Sequence, residues 1–474
     1  MTQEKTPAEL LQDQLCYQKE NQWKHADEAF EAEVMEFNRS YANALNVGKT
    51  EREFYSMSVK KLEENGFRDL NTLESVKAGD KVYSSVHDKG LVAAVVGTEP
   101  ASKGYVIVGS HIDSPRLDLK PNALYEKDEM AFFKTHYYGG IKKYQWLSTQ
   151  LALHGVVITK DGKKIEVSIG EDAEDPVFTI PDLLPHLGRK QMANKASEVV
   201  EAEAMNILLG SKPIDDEKIK EPVKLAILKL LHDKYGITER DLYTAELEMV
   251  PAHKARDVGF DRSFIGAYGQ DDRVCAWTSL EAILDAKPQA KTQVILFSDK
   301  EEVGSAGNTG AKSELYYFAL YELQQKILGR EATLMERHEL IRNSKMLSSD
   351  VAAGFDPDFA DVYEPMNAAH MNYGIAFCKY TGGGGKGGTS DASAEYFNEI
   401  TRLFDSQNIP WQSCELGKTD AGGGGTIAQF FANSGMNVID CGVAVLAMHS
   451  CFEVCSKLDI YNTYRAYKAF FERG

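Results

Sequence analysis

Four short apolar runs in this 474-residue chain are typical of buried β-strands, and each is closely followed by a histidine or by acidic residues. They are YVIVGS before His111, VILFSDK before Glu301 and Glu302, KMLSS before Asp350, and VAVLAM before His449. In open α/β sheets, ligands bind beyond the carboxyl ends of the strands. The pattern therefore predicts an α/β fold with a functional site where these strand ends meet.

Helical and strand-like patterns alternate outside the middle of the chain. Apolar residues at helix spacing predict helices over 7–47 and 52–64, followed by strands near 81–85, 91–96 and 105–108. Asp271 directly follows a fifth segment, GAYGQ, which differs from the four strand-like runs. We expect Asp271 to come after a loop and to lie at the start of a helix. The rest of the chain predicts strands near 294–297, 345–348 and 438–448 and helices near 274–286, 314–328, 391–399 and 460–473.

Residues 115–250 have a different pattern. Strands are predicted over 151–159 and 164–169, joined by the hairpin signal Lys160-Asp161-Gly162, with a Lys/Glu-rich helix over 214–234 and another strand over 242–250. The chain is also longer than a single hydrophobic core usually serves. We therefore predict a discontinuous α/β domain of residues 1–114 and 251–474, interrupted by a β-rich domain of residues 115–250.

The net charge restricts the partners that this chain can bind. There are 53 Lys+Arg and 71 Asp+Glu, which gives a formal charge of −18. Binding to nucleic acid or to anionic lipid needs a cationic face, so neither partner is expected. The N-terminal sequence lacks the pattern of a signal peptide, and no apolar run reaches the roughly 18 residues of a membrane-spanning helix. Seven cysteines without a CxxC spacing indicate reduced thiols, and we expect a cytoplasmic protein.

Two histidines and several carboxylates are a suitable ligand set for two divalent cations. Two such cations about 3.5–4 Å apart can share one carboxylate and one water molecule. Neighbouring side chains such as Glu301 and Glu302 point in different directions. One of them can therefore bind metal while the other acts as a general base. The residues alone leave open whether Asp271 or Asp272 bridges the two cations.

At these positions the sequence resembles the M18 family of metalloaminopeptidases, whose best-known members are aspartyl aminopeptidases. The matching motifs occur in the family's order over nearly the whole chain: GSHIDSP from Gly109, DDR from Asp271, EEVGS from Glu301, Ser349-Asp350 and Met448-His449-Ser450. The resemblance implies a three-layer α/β/α co-catalytic zinc-peptidase domain with an inserted β-rich dimerisation domain. It also implies a homo-oligomer built from dimers, up to a dodecamer.

The resemblance further implies a role for each matching residue. One metal ion is held by His111 and Asp350, the other by Glu302 and His449, with Asp271 as the bridge. Glu301 is the general base, and Asp113 accepts the ring N–H of His111. The ions are expected to be zinc, with cobalt or manganese as alternatives.

Two more residues are implied to contact the peptide substrate. His186, in TIPDLLPHL, corresponds to a family histidine that enters a neighbouring subunit's site. The resemblance therefore implies a catalytic contact to the reaction's oxyanion or a contact to the substrate, and the alternative is an ordinary surface or interface histidine. Lys386 lies where bacterial members carry a lysine, so it is a candidate partner for an acidic substrate side chain; otherwise it is a solvated loop lysine. Trp146 begins a segment where typical aspartyl members have Asp-Arg-Asp. This departure argues against a strictly acidic specificity. We predict a preference for N-terminal Asp or Glu from the family resemblance and Lys386, with neutral residues such as Leu as the alternative.

Other function classes fit the sequence less well. His338-Glu339 begins an HExxH motif, but Arg342 occupies the second histidine position. The glycine-rich run around Lys386 fails the phosphate-loop pattern, since Tyr380 stands at the first glycine and Gly387 at the Ser/Thr. A catalytically silent peptide-binding or assembly protein is disfavoured, because the expected ligands and Glu301 are all present.

Overall fold

Twelve α-helices and three β-sheets make up the described residues, 5–17 and 19–474, of this computed structural model. The helices are α1 Pro7–Leu15, α2 Glu28–Val47, α3 Glu51–Glu64, α4 Arg189–Met192, α5 Pro222–Tyr235, α6 Glu239–Leu242, α7 Gln270–Leu284, α8 Leu315–Leu328, α9 Leu334–Asn343, α10 Ala394–Ser406, α11 Ala428–Asn433 and α12 Lys457–Arg473. The strands up to residue 251 are β1 Arg68–Asp69, β2 Lys81–Val86, β3 Gly90–Val95, β4 Val106–His111, β5 Arg116–Lys127, β6 Met130–Tyr138, β7 Leu151–Ile158, β8 Lys164–Ile169, β9 Asn206–Gly210 and β10 Glu246–Pro251. The later strands are β11 Arg256–Val258, β12 Phe264–Ala267, β13 Gln293–Ser298, β14 Lys345–Ser349, β15 Ala352–Ala353, β16 Ile375–Cys378, β17 Trp411–Ser413, β18 Asn437–Gly442, β19 Ala444–Leu446 and β20 Glu453–Ser456.

The largest sheet has nine strands in the order β1-β2-β3-β13-β4-β14-β18-β16-β17. Its centre, β13-β4-β14-β18, is parallel throughout, and the register pairs Ser298 of β13 with His111 of β4. The carboxyl ends of these four strands therefore meet at one edge of the sheet. Antiparallel β3 and β16 flank this parallel centre.

Both faces of the nine-stranded sheet are covered, and alternate residues of each central strand enter different cores. Val106 and Val108 of β4 pack in one core with residues of α2, α3, α7, α10 and α12. Ile107, between them, packs in a second core with residues of α8, α9 and α11. This is the pattern expected of a sheet that helices bury on both sides, and it gives the three-layer arrangement predicted from the sequence.

A second sheet, β8-β7-β10-β5-β6-β9, is formed by strands that all lie between Arg116 and Pro251. The predicted hairpin is confirmed, since β7 and β8 pair antiparallel. A third sheet has the order β11-β12-β20-β19-β15, and two of its strands, β15 and β19, closely follow the carboxyl ends of β14 and β18 in the chain. Among residues 5–17 and 19–474, no helix combines the length and the apolar character needed to cross a membrane.

Several predicted boundaries are wrong because local capping decides where an element begins. The described residues of the region 7–47 form two α-helices with a short 3₁₀ turn, Gln22–His25, between them. Asp27 caps the second α-helix by accepting from the Phe30 N–H at 2.8 Å. Helix α5 begins at Pro222 rather than near 214, because proline suits the first turn, where no intrahelical N–H bond is needed. Helix α10 begins after the cap Ser393, three residues later than predicted.

Candidate metal centre

The predicted metal ligands converge on one cavity of about 800 Å³. His111 ends β4, Asp350 directly follows β14, and Glu301 and Glu302 form a short 3₁₀ turn just past β13. Asp271 lies in the first turn of α7, with a backbone outside the helical region. His449 follows β19, so it comes from the third sheet rather than from the nine-stranded sheet. All six residues line the cavity: His111, Asp271, Glu301, Glu302, Asp350 and His449.

Asp271 lies between the two histidines. Its Oδ1 is 3.1 Å from His111 Nε2, and its Oδ2 is 3.1 Å from His449 Nε2. Each carboxylate oxygen thus faces a different histidine, which is the arrangement needed to bridge two cations. His111 Nε2 is also 3.8 Å from Asp350, and His449 Nε2 is 3.4 Å from Glu302 Oε2.

Asp272 does not have the same position. It is fully buried, and its Oδ2 accepts from the backbone N–H of His111 at 3.3 Å. Two groups of potential ligand atoms lie within 4.8 Å of one another, namely His111/Asp272/Asp350 and His111/Asp271/Glu302. Asp271 alone faces both histidines, so the geometry favours it as the bridge.

Asp113 organises one side of the centre through four hydrogen bonds. Its Oδ1 is 3.2 Å from His111 Nδ1 and accepts from Glu301 N–H at 3.1 Å. Its Oδ2 accepts from Glu302 N–H at 3.2 Å and from the Tyr138 hydroxyl at 2.8 Å. The backbone carbonyl of Asp113 also lies 3.0 Å from His111 Nδ1. A carbonyl can only accept, so Nδ1 carries a proton and Nε2 is the ring nitrogen that faces the cavity.

His449 is oriented in the same way by Gly140, which lies just after strand β6 of the second sheet. Its Nδ1 donates to the Gly140 carbonyl oxygen at 2.7 Å, which leaves Nε2 free to face Asp271 and Glu302. A metal-binding histidine usually donates its other ring N–H to a carbonyl or carboxylate in this manner.

Sequence reasoning missed Glu453. It is almost fully buried in β20, and its two oxygens accept from the backbone N–H groups of Asp271, at 3.0 Å, and His449, at 2.7 Å. Glu453 therefore fixes the backbones of two predicted ligands relative to each other. An acidic residue within the short strand EVCS, four positions after His449, was the available signal.

The electrostatics show an excess of buried negative charge. Burial raises the pKa of Glu301 to about 7 and raises the pKa values of Glu302 and Asp350 well above their ordinary range. Burial alone would lower the pKa of His449, but Asp271 and Glu302 raise it to about 10. Carboxylates crowded in this way favour either protonation or the binding of compensating cations.

The donor atoms fit divalent metal ions. Glu302 Oε1 is buried and has no hydrogen-bond partner, and the same holds for Asp272 Oδ1. Imidazole nitrogens with carboxylate oxygens are ligands that zinc and related ions accept.

Neither of the two predicted substrate residues, Lys386 and His186, lines the cavity that contains the predicted metal ligands. Lys386 Nζ is 3.0 Å from Asp391 Oδ2 and 3.6 Å from the centre of the Tyr380 ring. It lines a neighbouring cavity of about 420 Å³ and not the one with the metal ligands. His186 is exposed on a loop of the second sheet's segment and is not among the residues that line the cavity.

Residues 44–471 match a family described as Aminopeptidase I zinc metalloprotease (M18). The chain belongs to the M18 family. It is 48% identical over 454 residues to a protein of Clostridium acetobutylicum named probable M18 family aminopeptidase 1, with 95% of this chain and 97% of the relative covered. A protein of Thermotoga maritima with the same name is 45% identical over 456 residues, covering 96% and 99%.

Solved structures of M18 proteins share the fold. The M18 family aminopeptidase from Thermotoga maritima superposes with a TM-score of 0.93 at 44% identity, covering 97% of this chain and all of that one. Aminopeptidase I from Clostridium acetobutylicum gives 0.91 with the same coverage and identity. The predicted family, enzyme class and α/β fold are therefore confirmed.

Proposed function

We propose that this M18 protein is a two-metal aminopeptidase that removes the N-terminal residue from peptides. The position of Asp271 carries the proposal, because one carboxylate oxygen faces His111 and the other faces His449, each at 3.1 Å. One ion is assigned to His111 and Asp350, and the second to Glu302 and His449. Zinc is the expected metal, since the family is one of zinc metalloproteases; cobalt and manganese accept the same ligands.

Each residue then has a defined task. Bound at these sites, two divalent cations would polarise the scissile carbonyl and make a water molecule acidic enough to attack near neutral pH. Glu301 takes the proton from the attacking water and delivers it to the leaving amine. Asp113 holds the backbone of Glu301 and the ring of His111, so both stay in place during the reaction. The crowded carboxylates also attract the protonated α-amine of a peptide, which favours cleavage at the N-terminus.

The preferred N-terminal residue depends on the cations near the cavity. An acidic preference is the prediction from the sequence and relies on Lys386. The Lys386–Asp391 ion pair favours the neutral alternative as a second candidate, because the lysine charge is already compensated. Lys312, which lines the cavity, is also engaged, since its Nζ donates to the Gly304 carbonyl at 2.8 Å.

We further propose that residues 1–114 and 251–474 form the catalytic domain and that residues 115–250 form an oligomerisation domain. Support comes from the second sheet, whose strands all lie between Arg116 and Pro251, and from exposed apolar residues beside His186. Those residues are Leu183, Leu184, Leu187 and Met192. His186 would then serve the site of a neighbouring copy in a homo-oligomer.

Metal analysis combined with a peptide panel tests the proposal. We expect the purified protein to bind about two divalent ions per chain and to release p-nitroaniline from Leu- or Asp-anilides. The N-acetylated forms of the same anilides should not be hydrolysed. A protein that binds both ions yet hydrolyses neither free-amine substrate would be the silent peptide-binding protein instead.

A further inference from the structure

The end of strand β6 approaches the metal centre from the second sheet. Three consecutive residues, Tyr138, Gly139 and Gly140, contact three different parts of the centre. We propose that this segment is a positioning element for the metal ligands, a role that rests on the proposed two-metal function. It would fix the two histidine rings and leave room for Glu302.

Tyr138 acts through Asp113. Its hydroxyl donates to Asp113 Oδ2 at 2.8 Å, and Asp113 in turn binds the ring of His111. The tyrosine ring is itself held in place, because the Arg116 guanidinium lies 3.9 Å from its centre. Arg116 and Tyr138 are also register partners on β5 and β6. The pairing of two strands in the second sheet thus determines where a hydroxyl meets the carboxylate that orients His111.

Gly139 allows Glu302 to pack closely. Its φ is +77°, and a Cβ at this position would lie 3.3 Å from both Glu302 Cβ and Glu302 Oε2. A side chain would therefore be strained and would press on the carboxylate proposed to bind the second metal. Glycine is required here both by the backbone and by the neighbouring ligand.

Gly140 determines which ring nitrogen of His449 faces the centre. Its carbonyl accepts from Nδ1 at 2.7 Å, so only Nε2 is left to face Asp271 and Glu302. The segment thus reaches His111 through Asp113, Glu302 through Gly139, and His449 through Gly140. The second sheet therefore contributes to metal affinity, in addition to any part that it has in assembly.

Two pairs of variants test this positioning role. Tyr138→Phe removes the hydroxyl that binds Asp113, and Tyr137→Phe removes one from the exposed neighbouring tyrosine. Gly139→Ala adds the Cβ against Glu302, and Gly162→Ala adds one at φ +84° in the β7–β8 hairpin, where no atom lies within 4 Å. The Gly162 variant reproduces the backbone strain without the contact.

Zinc affinity is measured by chelator competition on protein that has been stripped of metal and reloaded. The thermal unfolding of the metal-free form is measured in parallel. Loss of an outer partner of a metal ligand typically costs 10- to 100-fold in affinity. We expect about 10-fold weaker zinc binding for Tyr138→Phe. We expect a loss of about the same size for Gly139→Ala, because its added Cβ lies against Glu302 itself. Both controls should stay within about twofold of wild type. Metal-free Gly139→Ala and Gly162→Ala should unfold at similar temperatures.

Wild-type zinc affinity in both test variants would overturn the inference, as would equal losses in tests and controls. The wild-type protein separates this result from a failure of the proposed function. If it binds neither zinc, cobalt nor manganese, the two-metal proposal falls and takes the inference with it. If it binds zinc and hydrolyses peptides while the variants match it, only the positioning role is refuted.

Discussion

Replacing Asp113 by Asn keeps the shape of the side chain but removes part of its hydrogen-bond network. Four donors point at the two carboxylate oxygens: His111 Nδ1–H, Glu301 N–H, Glu302 N–H and the Tyr138 hydroxyl, at 2.8 to 3.2 Å. Asparagine has one oxygen and one NH₂ group. With the NH₂ at the Oδ1 position, His111 Nδ1–H and Glu301 N–H both face a donor. With the NH₂ at the Oδ2 position only Glu302 N–H does, because the Tyr138 hydroxyl can turn and accept. The hydrogen bonds to His111, Tyr138 and two ligand-bearing backbones therefore cannot all persist.

The expected cost follows from this count. A hydrogen bond to a charged group contributes about 1.5–3 kcal/mol, and the better orientation of the amide loses one of them. Removing a buried charge recovers part of that, and we therefore use the lower end, about 1.5 kcal/mol. This corresponds to roughly a 10-fold effect. Because the donors belong to predicted metal ligands or adjoin them, the loss should appear in zinc affinity and in kcat/KM.

Chelator competition and anilide hydrolysis measure both effects on the same preparation. Asp172→Asn is the matched control, since Asp172 is exposed and lies away from the cavity. Circular dichroism of the metal-free proteins confirms that each variant is folded. Zinc affinity and kcat/KM within threefold of wild type for Asp113→Asn would refute the argument that this carboxylate organises the centre.

Three further outcomes follow from the same contacts. Glu301→Gln should lower kcat by about 10²–10⁴-fold, the range for a lost general base, while metal content measured by mass spectrometry stays unchanged; normal turnover would exclude Glu301 as the base. Lys386→Ala should lower the ratio of Asp- to Leu-anilide turnover if the lysine reads an acidic residue, whereas an unchanged ratio would support the neutral preference. Burial raises the pKa of Glu171, but hydrogen bonds from His154, Lys254 and Lys49 outweigh burial and lower the pKa to about 2. Its stabilisation is therefore complete above about pH 4.5 and is lost as pH falls toward 2. Glu171→Gln should be less stable than wild type at pH 7 and should lose less in thermal scans between pH 5 and pH 3; parallel curves would contradict this.

The strand-end residues could be predicted because local sequence determines both their strand and their position. A buried parallel strand reads as a continuous apolar run, and its carboxyl end then carries the next polar residue to the site edge. His111, Asp350 and the Glu301-Glu302 pair follow this rule. His449 was predicted at a strand end as well, but that strand, β19, belongs to the third sheet. Which sheet a short strand joins depends on distant pairing, and the local pattern does not contain that information.

The outer contacts could not be predicted for the same reason. Tyr138 and Gly140 meet the metal centre because β6 pairs with β5 in a separate sheet, and Glu453 does so because β20 pairs with β12 and β19. The position of Lys386 was uncertain for a different reason. Its partner Asp391 is five residues away in the same loop, and whether two such side chains meet depends on a backbone path through several glycines.

The residues of the site are spread along the chain, and this determines at which stage of synthesis the protein can become active. His111 is made early, whereas His449 and Glu453 come just before the last described helix, α12. A growing polypeptide that has passed its first two hundred residues can fold strands of the second sheet, since chains fold from the N-terminal side during synthesis. It still lacks Glu453 and five of the six predicted residues of the centre, namely Asp271, Glu301, Glu302, Asp350 and His449. On the proposed function, unfinished or truncated chains are inert, so a cell making this peptidase is not exposed to stray cleavage from its own incomplete products.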